Sequence, residues 1–361
     1  MSIKTKILLG MLVFVPIAMG AQWLHLNPLI VFLVSGLAII PLAAWIANST
    51  EEIATVIGPA FGGLLNATFG NATEMIIAIV ALRSGLVEVV KASITGSIIA
   101  NLLLAIGLST LLGGIRFSEQ KFQPTVARLN SSSLILAVIV MVTPTIMHET
   151  SAGLKPEILN YFSYAAAVLL LLFYCLMLYF SMKTHRSLYQ LEELESEAHG
   201  APEAAAHPTI NLKLQLGVLL GATIVLVFIS DILVESLQET IKTVGLSPLF
   251  TGVILIPLFG GVVEYITCIT FALKNKMEVA MAVAIGSSLQ IALFVAPILV
   301  LVGWLMGQPM NLDFNPFEIV AVAMAVIICN SISSDGSSNW LEGVLLLITY
   351  IILGTAFYFH P

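Results

Sequence analysis

"FGNATEMIIAI", residues 69–79, returns 190 positions later as "FGGVVEYITCI", residues 259–269. Phe69, Gly70, Glu74, Ile76 and Ile79 fall on Phe259, Gly260, Glu264, Ile266 and Ile269. The register holds further on without a gap. Glu88, Val89, Ala92, Gly96 and Ser97 fall on Glu278, Val279, Ala282, Gly286 and Ser287, and Gly113 falls on Gly303. Shared Ile or Ala means little in an apolar chain. Two glutamates, glycines and a serine at one offset indicate an internal duplication.

Both copies sit in apolar runs long enough to cross a bilayer. The 361 residues are 58% hydrophobic and only 10% charged, against about 25% charged in an ordinary soluble domain. Such a chain cannot cover a water-facing surface, and its uniformly apolar runs exclude the alternating pattern of an outer-membrane barrel. The composition predicts an all-α polytopic membrane protein with about eleven transmembrane helices. The expected spans are 6–24, 28–48, 57–82, 89–114, 130–147, 159–182, 212–236, 248–273, 279–306, 316–333 and 340–359. The two lysines and apolar run of the first residues read as a first transmembrane helix rather than a secretory signal.

The offset maps the third span onto the eighth and the fourth onto the ninth. The expected organisation is therefore an N-terminal helix (1–27), a first five-helix repeat (28–182), an acidic cytoplasmic linker (183–211) and a second five-helix repeat (212–361). An odd number of helices per repeat inverts the second relative to the first, the plan of many secondary transporters. With a cytoplasmic N-terminus, ten of the 14 basic residues face the cytoplasm. Arg83, Lys91, Lys155 and Lys242 are the four that face outward, as the positive-inside rule asks. The linker carries Glu192, Glu193, Glu195, Glu197 and Glu203 and reads as a solvated connector. The cysteines, Cys175, Cys268 and Cys329, lie scattered in apolar runs and form no metal or redox motif.

A carboxylate at membrane depth costs about 2.5–3.5 kcal/mol on insertion scales, so Glu74 and Glu264 call for a function. In an inverted duplication they approach from opposite sides and converge near the midplane. Two such carboxylates coexist when a cation lies between them or when protons neutralise them. These are the two loads of a cation/proton antiporter, so Glu74 and Glu264 are expected to bind the ion and to couple it to protons. Around them lie only oxygen donors: Asn71, Ser97, Ser287 and Gln290, with Gly70 and Gly260 where the helices can bend and bare their carbonyls. Hard oxygen ligands suit Ca²⁺, Mn²⁺ or Mg²⁺ rather than Zn²⁺ or Cu⁺. Asn101, Glu51, Asp231, Glu235, Glu88 and Glu278 are candidates for the ion path. The predicted spans hold no histidine relay and no GxSxG nucleophile, which disfavours an embedded enzyme. A channel would not need a matched carboxylate in each half.

The stretches "GPAFGGLLNATFGNATEMIIAIVAL" (58–82) and "ASITGSIIANLLLAIGLSTLLGG" (92–114) resemble the first signature repeat of the cation/proton exchanger (CAX) family of Ca²⁺/H⁺ antiporters. "LFGGVVEYITCITFALKNKMEVAMAVAIGSSLQIALFVAP" (258–297) resembles the second, and "SSDGSSNWLEG" (333–343) resembles the stretch before the family's last helix. The resemblance implies proton-driven Ca²⁺ transport, with Glu74 and Glu264 as the paired glutamates and Asn71, Ser97, Ser287 and Gln290 as their neighbours. It implies Ca²⁺ and H⁺ as substrates, no cofactor, no nucleic-acid partner and a lipid bilayer around the chain. A prokaryotic inner membrane is the expected location, and a homo-oligomer stays open. Na⁺-coupled Ca²⁺ exchange on a related fold is the alternative. The second repeat departs from the family's Gly-Asn-Ala-Ala-Glu-His: it has Gly261 for the asparagine and Tyr265 for the histidine.

Overall fold

The computed structural model describes residues 3–151, 155–185 and 211–360. Residues 186–210, and with them the acidic cluster expected of the linker, lie outside the described residues. The first half holds α1 (Ile3–Met11), α2 (Phe14–Trp23), α3 (Pro28–Ile57), α4 (Pro59–Phe69) and α5 (Ala72–Arg83). It continues with α6 (Val87–Phe117), α7 (Pro124–Thr150) and α8 (Pro156–Tyr179). The second half holds α9 (Leu212–Val244), α10 (Pro248–Gly260), α11 (Val262–Ala272), α12 (Met277–Leu305), α13 (Pro316–Ile332) and α14 (Trp340–Phe359).

Among the described residues, eight helices are long and apolar enough to cross a membrane, nine if α10 and α11 form one broken span. The other apolar segments are α13, of 17 residues, and the pair α4–α5. The expectation of continuous spans over 57–82 and 248–273 is corrected: both break beside a glutamate. The first breaks at Gly70–Asn71, the second at Gly261, where the axis bends by 59°. A hydropathy window sees only apolar side chains and cannot register a broken backbone. Broken helices are tolerated at membrane depth where the freed groups line a site.

Other boundaries move for local reasons. The second span runs on to Ile57, past its apolar run, because the polar turn at its end is held by α9: Ser49 donates to Gln215 Oε1 at 3.1 Å, and Gln215 Nε2 donates to Glu52. It stops at Gly58, whose φ of +85° only glycine adopts freely, and Pro59 opens α4. A small sheet also departs from the all-α expectation. Glu119–Lys121 (β1) pairs antiparallel with Ser337–Asn339 (β2), in the register Glu119–Asn339, Gln120–Ser338, Lys121–Ser337. Asp335 serves this turn, its Oδ1 accepting from Ser337 N at 3.3 Å.

Two hydrophobic cores fill the molecule. One joins α6, α7, α8, α11, α12, α13 and α14 with Ala78, Val80, Ala81 and Leu82 of α5, Val234 of α9 and Val253 of α10. The other joins α2, α3 and α9 with the inner residues Ala72, Ile77, Ile256 and Phe259. The site helices α5 and α10 lie between the two. Elsewhere large apolar side chains face outward along whole helices, as Leu169, Leu172 and Leu176 do on α8, the pattern of a lipid-facing surface.

The 190-residue offset pairs elements of like shape. The break before α5 falls on the break before α11. A π-helical turn in α6, Ala100–Ala105, falls on one in α12, Ile291–Val295. Such turns widen a helix and recur at functional sites. The packing of the pairs is unequal. A Cβ on Gly96 would run into the backbone of Val253, and one on Gly252 into Ala92, so α6 and α10 touch through their smallest residues. At Gly286, the counterpart of Gly96, an added Cβ would meet nothing within 4 Å.

Candidate functional site

Each glutamate is the third residue of a half-helix. Asn71 is the N-cap of α5, with Glu74 in its first turn; Gly261 is the N-cap of α11, with Glu264 in its first turn. The free N–H groups and positive dipole end of each half-helix favour a carboxylate there. Asn71 is thus placed by the break, not by a shared face of one continuous helix. "NATE" reads as a capping box, yet the Asn71 side chain does not cap its helix. It is turned across to the other half of the protein.

There it joins a four-residue network. Asn71 Nδ2 donates to Gln290 Oε1 at 2.5 Å, and Ser287 Oγ donates to Asn71 Oδ1 at 2.7 Å. Asn101 Nδ2, in the π-turn of α6, donates to Ser287 Oγ at 3.0 Å. Asn71, Asn101 and Ser287 are buried. Two members come from each half, so the network fixes the halves to each other beside the glutamates.

The glycines at the breaks give the close approaches. A Cβ on Gly70 would lie 2.9 Å from Gln290 Oε1, and one on Gly260 would lie 3.3 Å from Glu74 Cγ. Glu74 therefore reaches across to the second break. Glu264 follows that break in the first turn of α11. On each glutamate Oε2 is shut off from solvent without a hydrogen-bond partner. Two orphaned carboxylate oxygens, costly to bury unpaired, suit a ligand that supplies positive charge.

Of the site residues expected from sequence, Glu74, Glu264, Asn71, Ser287, Gln290, Gly70 and Gly260 come together. Ser97 is buried on α6, one turn before Asn101, which belongs to the network rather than to a separate path. The other path candidates lie apart. Glu51 is exposed. Asp231 pairs with Arg83 at 2.7 Å, Glu235 accepts from Gln22 at 2.8 Å, and Glu88 faces Lys91 at 3.4 Å. Glu278 is half-buried in the first turn of α12.

Two buried groups escaped the sequence reading. Glu318 closes a capping box with Asn315 and also accepts from Thr95 at 3.2 Å. The string Asn315-Pro316-Phe317-Glu318 carried the capping signal; nothing local announced Thr95. Tyr265, seen in sequence only as a departure, is buried and donates to Pro257 O at 2.9 Å.

A family model described as "Sodium/calcium exchanger protein" matches residues 27–183 and 214–359. The "Ca(2+)/H(+) antiporter" of Aphanothece halophytica is 54% identical over 364 residues, which covers 99% of this chain and 98% of the relative. A protein of the same description from Synechocystis sp. is 53% identical over 369 residues, covering 100% and 99%. Among solved structures, that of native YfkE shares 36% identity and superimposes with a TM-score of 0.83, covering 98% of this chain and 100% of that one. The chain is a multi-pass membrane protein of the sodium/calcium exchanger protein family, and within that family it belongs with the cation/proton exchangers.

Proposed function

We propose that the protein exchanges Ca²⁺ for H⁺ across a membrane by alternating access, with Glu74 and Glu264 as the shared binding groups for both ions. The observation that carries this reading is the pair of orphaned Oε2 atoms at the two helix breaks, one from each half. With Ca²⁺ present both carboxylates are ionised and bridge the charge. As the ion leaves, protons take its place, because ligand deprotonation and metal binding are linked. A cation and protons that compete for the same oxygens are coupled without a separate proton carrier.

Asn71, Ser287, Gln290 and Asn101 orient the site and offer neutral oxygens; Ser97 is buried on α6 one turn before Asn101. The relatives named Ca²⁺/H⁺ antiporters support the ion pair chosen. The two separately matched blocks of the family model support the reading of an N-terminal helix followed by two inverted five-helix repeats. The unequal packing at Gly96 and Gly286 supports two access states. With a cytoplasmic N-terminus, α10 seals the outer side against α6, and the space at Gly286 opens inward. In the opposite state α4 closes on α12, with Gly62 and Gly63, the counterparts of Gly252 and Val253, against Gly286. The second hydrophobic core, α2–α3–α9, is the body that moves against the first. A prokaryotic inner membrane suits the bacterial relatives.

The test is Ca²⁺ uptake into proteoliposomes under an imposed gradient. Uptake should follow a pH gradient and ignore a Na⁺ gradient of the same size. Uptake that follows Na⁺ alone would replace this reading with Na⁺-coupled exchange.

A further inference from the structure

The two halves of the site are unequal at one point. Position 71 holds the amide at the hub of the network, while position 261, its counterpart, has no side chain. The backbone does not demand glycine there. Gly261 has φ −88° and ψ 8°, Asn71 φ −116° and ψ 32°, and any L residue adopts the former. What excludes a side chain is Tyr265. A Cβ on Gly261 would lie 2.5 Å from Tyr265 Oη and 2.7 Å from Cζ. The tyrosine, four residues on, folds back over the helix break and fills the volume that an asparagine at 261 would need. Tyr265 is 6% exposed, so its ring sits in packed surroundings.

The hydroxyl has a second task. Tyr265 Oη donates to Pro257 O at 2.9 Å, and Gly261 N donates to the same carbonyl at 2.9 Å. The last carbonyls of a helix that stops at membrane depth are free to ligate a cation. Here one of them is doubly engaged, and the bend beside Glu264 is pinned.

We infer that Gly261 and Tyr265 form one device, in which the tyrosine takes the place of the amide that position 71 supplies at the first break and sets the divalent-cation affinity of a site whose two breaks are unequal. The inference rests on the proposed placement of the ion between Glu74 and Glu264. Neutral side-chain oxygens then come only from the Asn71–Ser287–Gln290–Asn101 side. Tyr265 is a positioning residue: it acts through the Pro257 carbonyl and the pitch of α11.

The experiment is a set of variants in proteoliposomes, read as KM and kcat for proton-driven Ca²⁺ uptake, with thermal unfolding in detergent to score folding. Gly261→Asn alone should lose uptake at least tenfold. Combined with Tyr265→Phe, which keeps the ring, it should stay impaired. Combined with Tyr265→Ala, which removes the ring, it should recover to within about threefold of the parent, with a Ca²⁺ KM below the parent's. Tyr265→Phe alone should fold normally and shift KM several-fold while kcat holds. Parent-like uptake by Gly261→Asn, or a folded Tyr265→Phe with unchanged KM, overturns the inference. So does recovery that is no better with alanine than with phenylalanine. If the double variants fail to fold, the KM of Tyr265→Phe decides alone. None of these outcomes bears on the glutamates, whose removal tests the underlying site separately.

Discussion

Asn71 shows how the site differs from what its own segment suggests. A local reading makes it a helix cap; in the fold it is the bridge between Ser287 and Gln290, more than 200 residues away. Residues that orient metal ligands from outside typically cost 10–100-fold in affinity when removed. Asn71→Ala and Ser287→Ala should therefore each raise the Ca²⁺ KM by roughly 10–100-fold, measured by uptake, with the protein still folded. Asp231 offers the opposite expectation. Its pair with Arg83 is on the outer surface, with the two side chains 37% and 62% exposed, and exposed pairs contribute little. Asp231→Asn should leave Ca²⁺ uptake within about twofold of the parent; a tenfold loss would place it on the ion path after all. Glu74 and Glu264 were legible in the sequence because a carboxylate among apolar residues is expensive and needs a reason. The Asn71–Ser287–Gln290–Asn101 contacts were not, because no local rule pairs an amide with a serine in the other half.

The helix breaks belong to the next scale. Glycine at 70 and 260 hinted at flexible points, but both segments are largely apolar, and hydropathy read them as continuous spans. The π-turns at Ala100–Ala105 and Ile291–Val295 leave no trace in composition, because any apolar sequence can hold one. The contact between α6 and α10 was equally hidden: glycines in membrane helices mark close approaches without saying to what. It yields a paired prediction. Gly252→Leu would drive its side chain into Ala92 and should lower the melting temperature in detergent along with transport. Gly286→Ala meets open space in this state and should leave the melting temperature unchanged. It should nevertheless slow turnover by roughly tenfold, because the proposed opposite state needs that space for α4, and close packing through small residues does not accept an added methyl. A Gly286→Ala variant that is both stable and fully active would argue against α4 docking there.

At the scale of the whole molecule, the apolar runs, the class and the 190-residue repeat were plain from sequence. The division into two hydrophobic cores was not, since it depends on which faces of α3 and α9 meet. That division places α5 and α10, with their glutamates, between the two cores, which alternating access, as proposed, would shift relative to each other. Competition between ions fixes the sign of the pH effect. If protons and Ca²⁺ share the same oxygens, as proposed, the apparent Ca²⁺ affinity should fall as pH falls, and thermal stabilisation by Ca²⁺ should shrink with it. Stabilisation that is indifferent to pH would separate the cation from the protons. The most direct measurement follows both ions at once in proteoliposomes, with internal pH and ⁴⁵Ca²⁺ recorded for the parent, Glu74→Gln and Glu264→Gln. The parent should move protons against Ca²⁺, and each folded variant should move neither. Coupled exchange surviving in either variant would contradict a site shared by both glutamates.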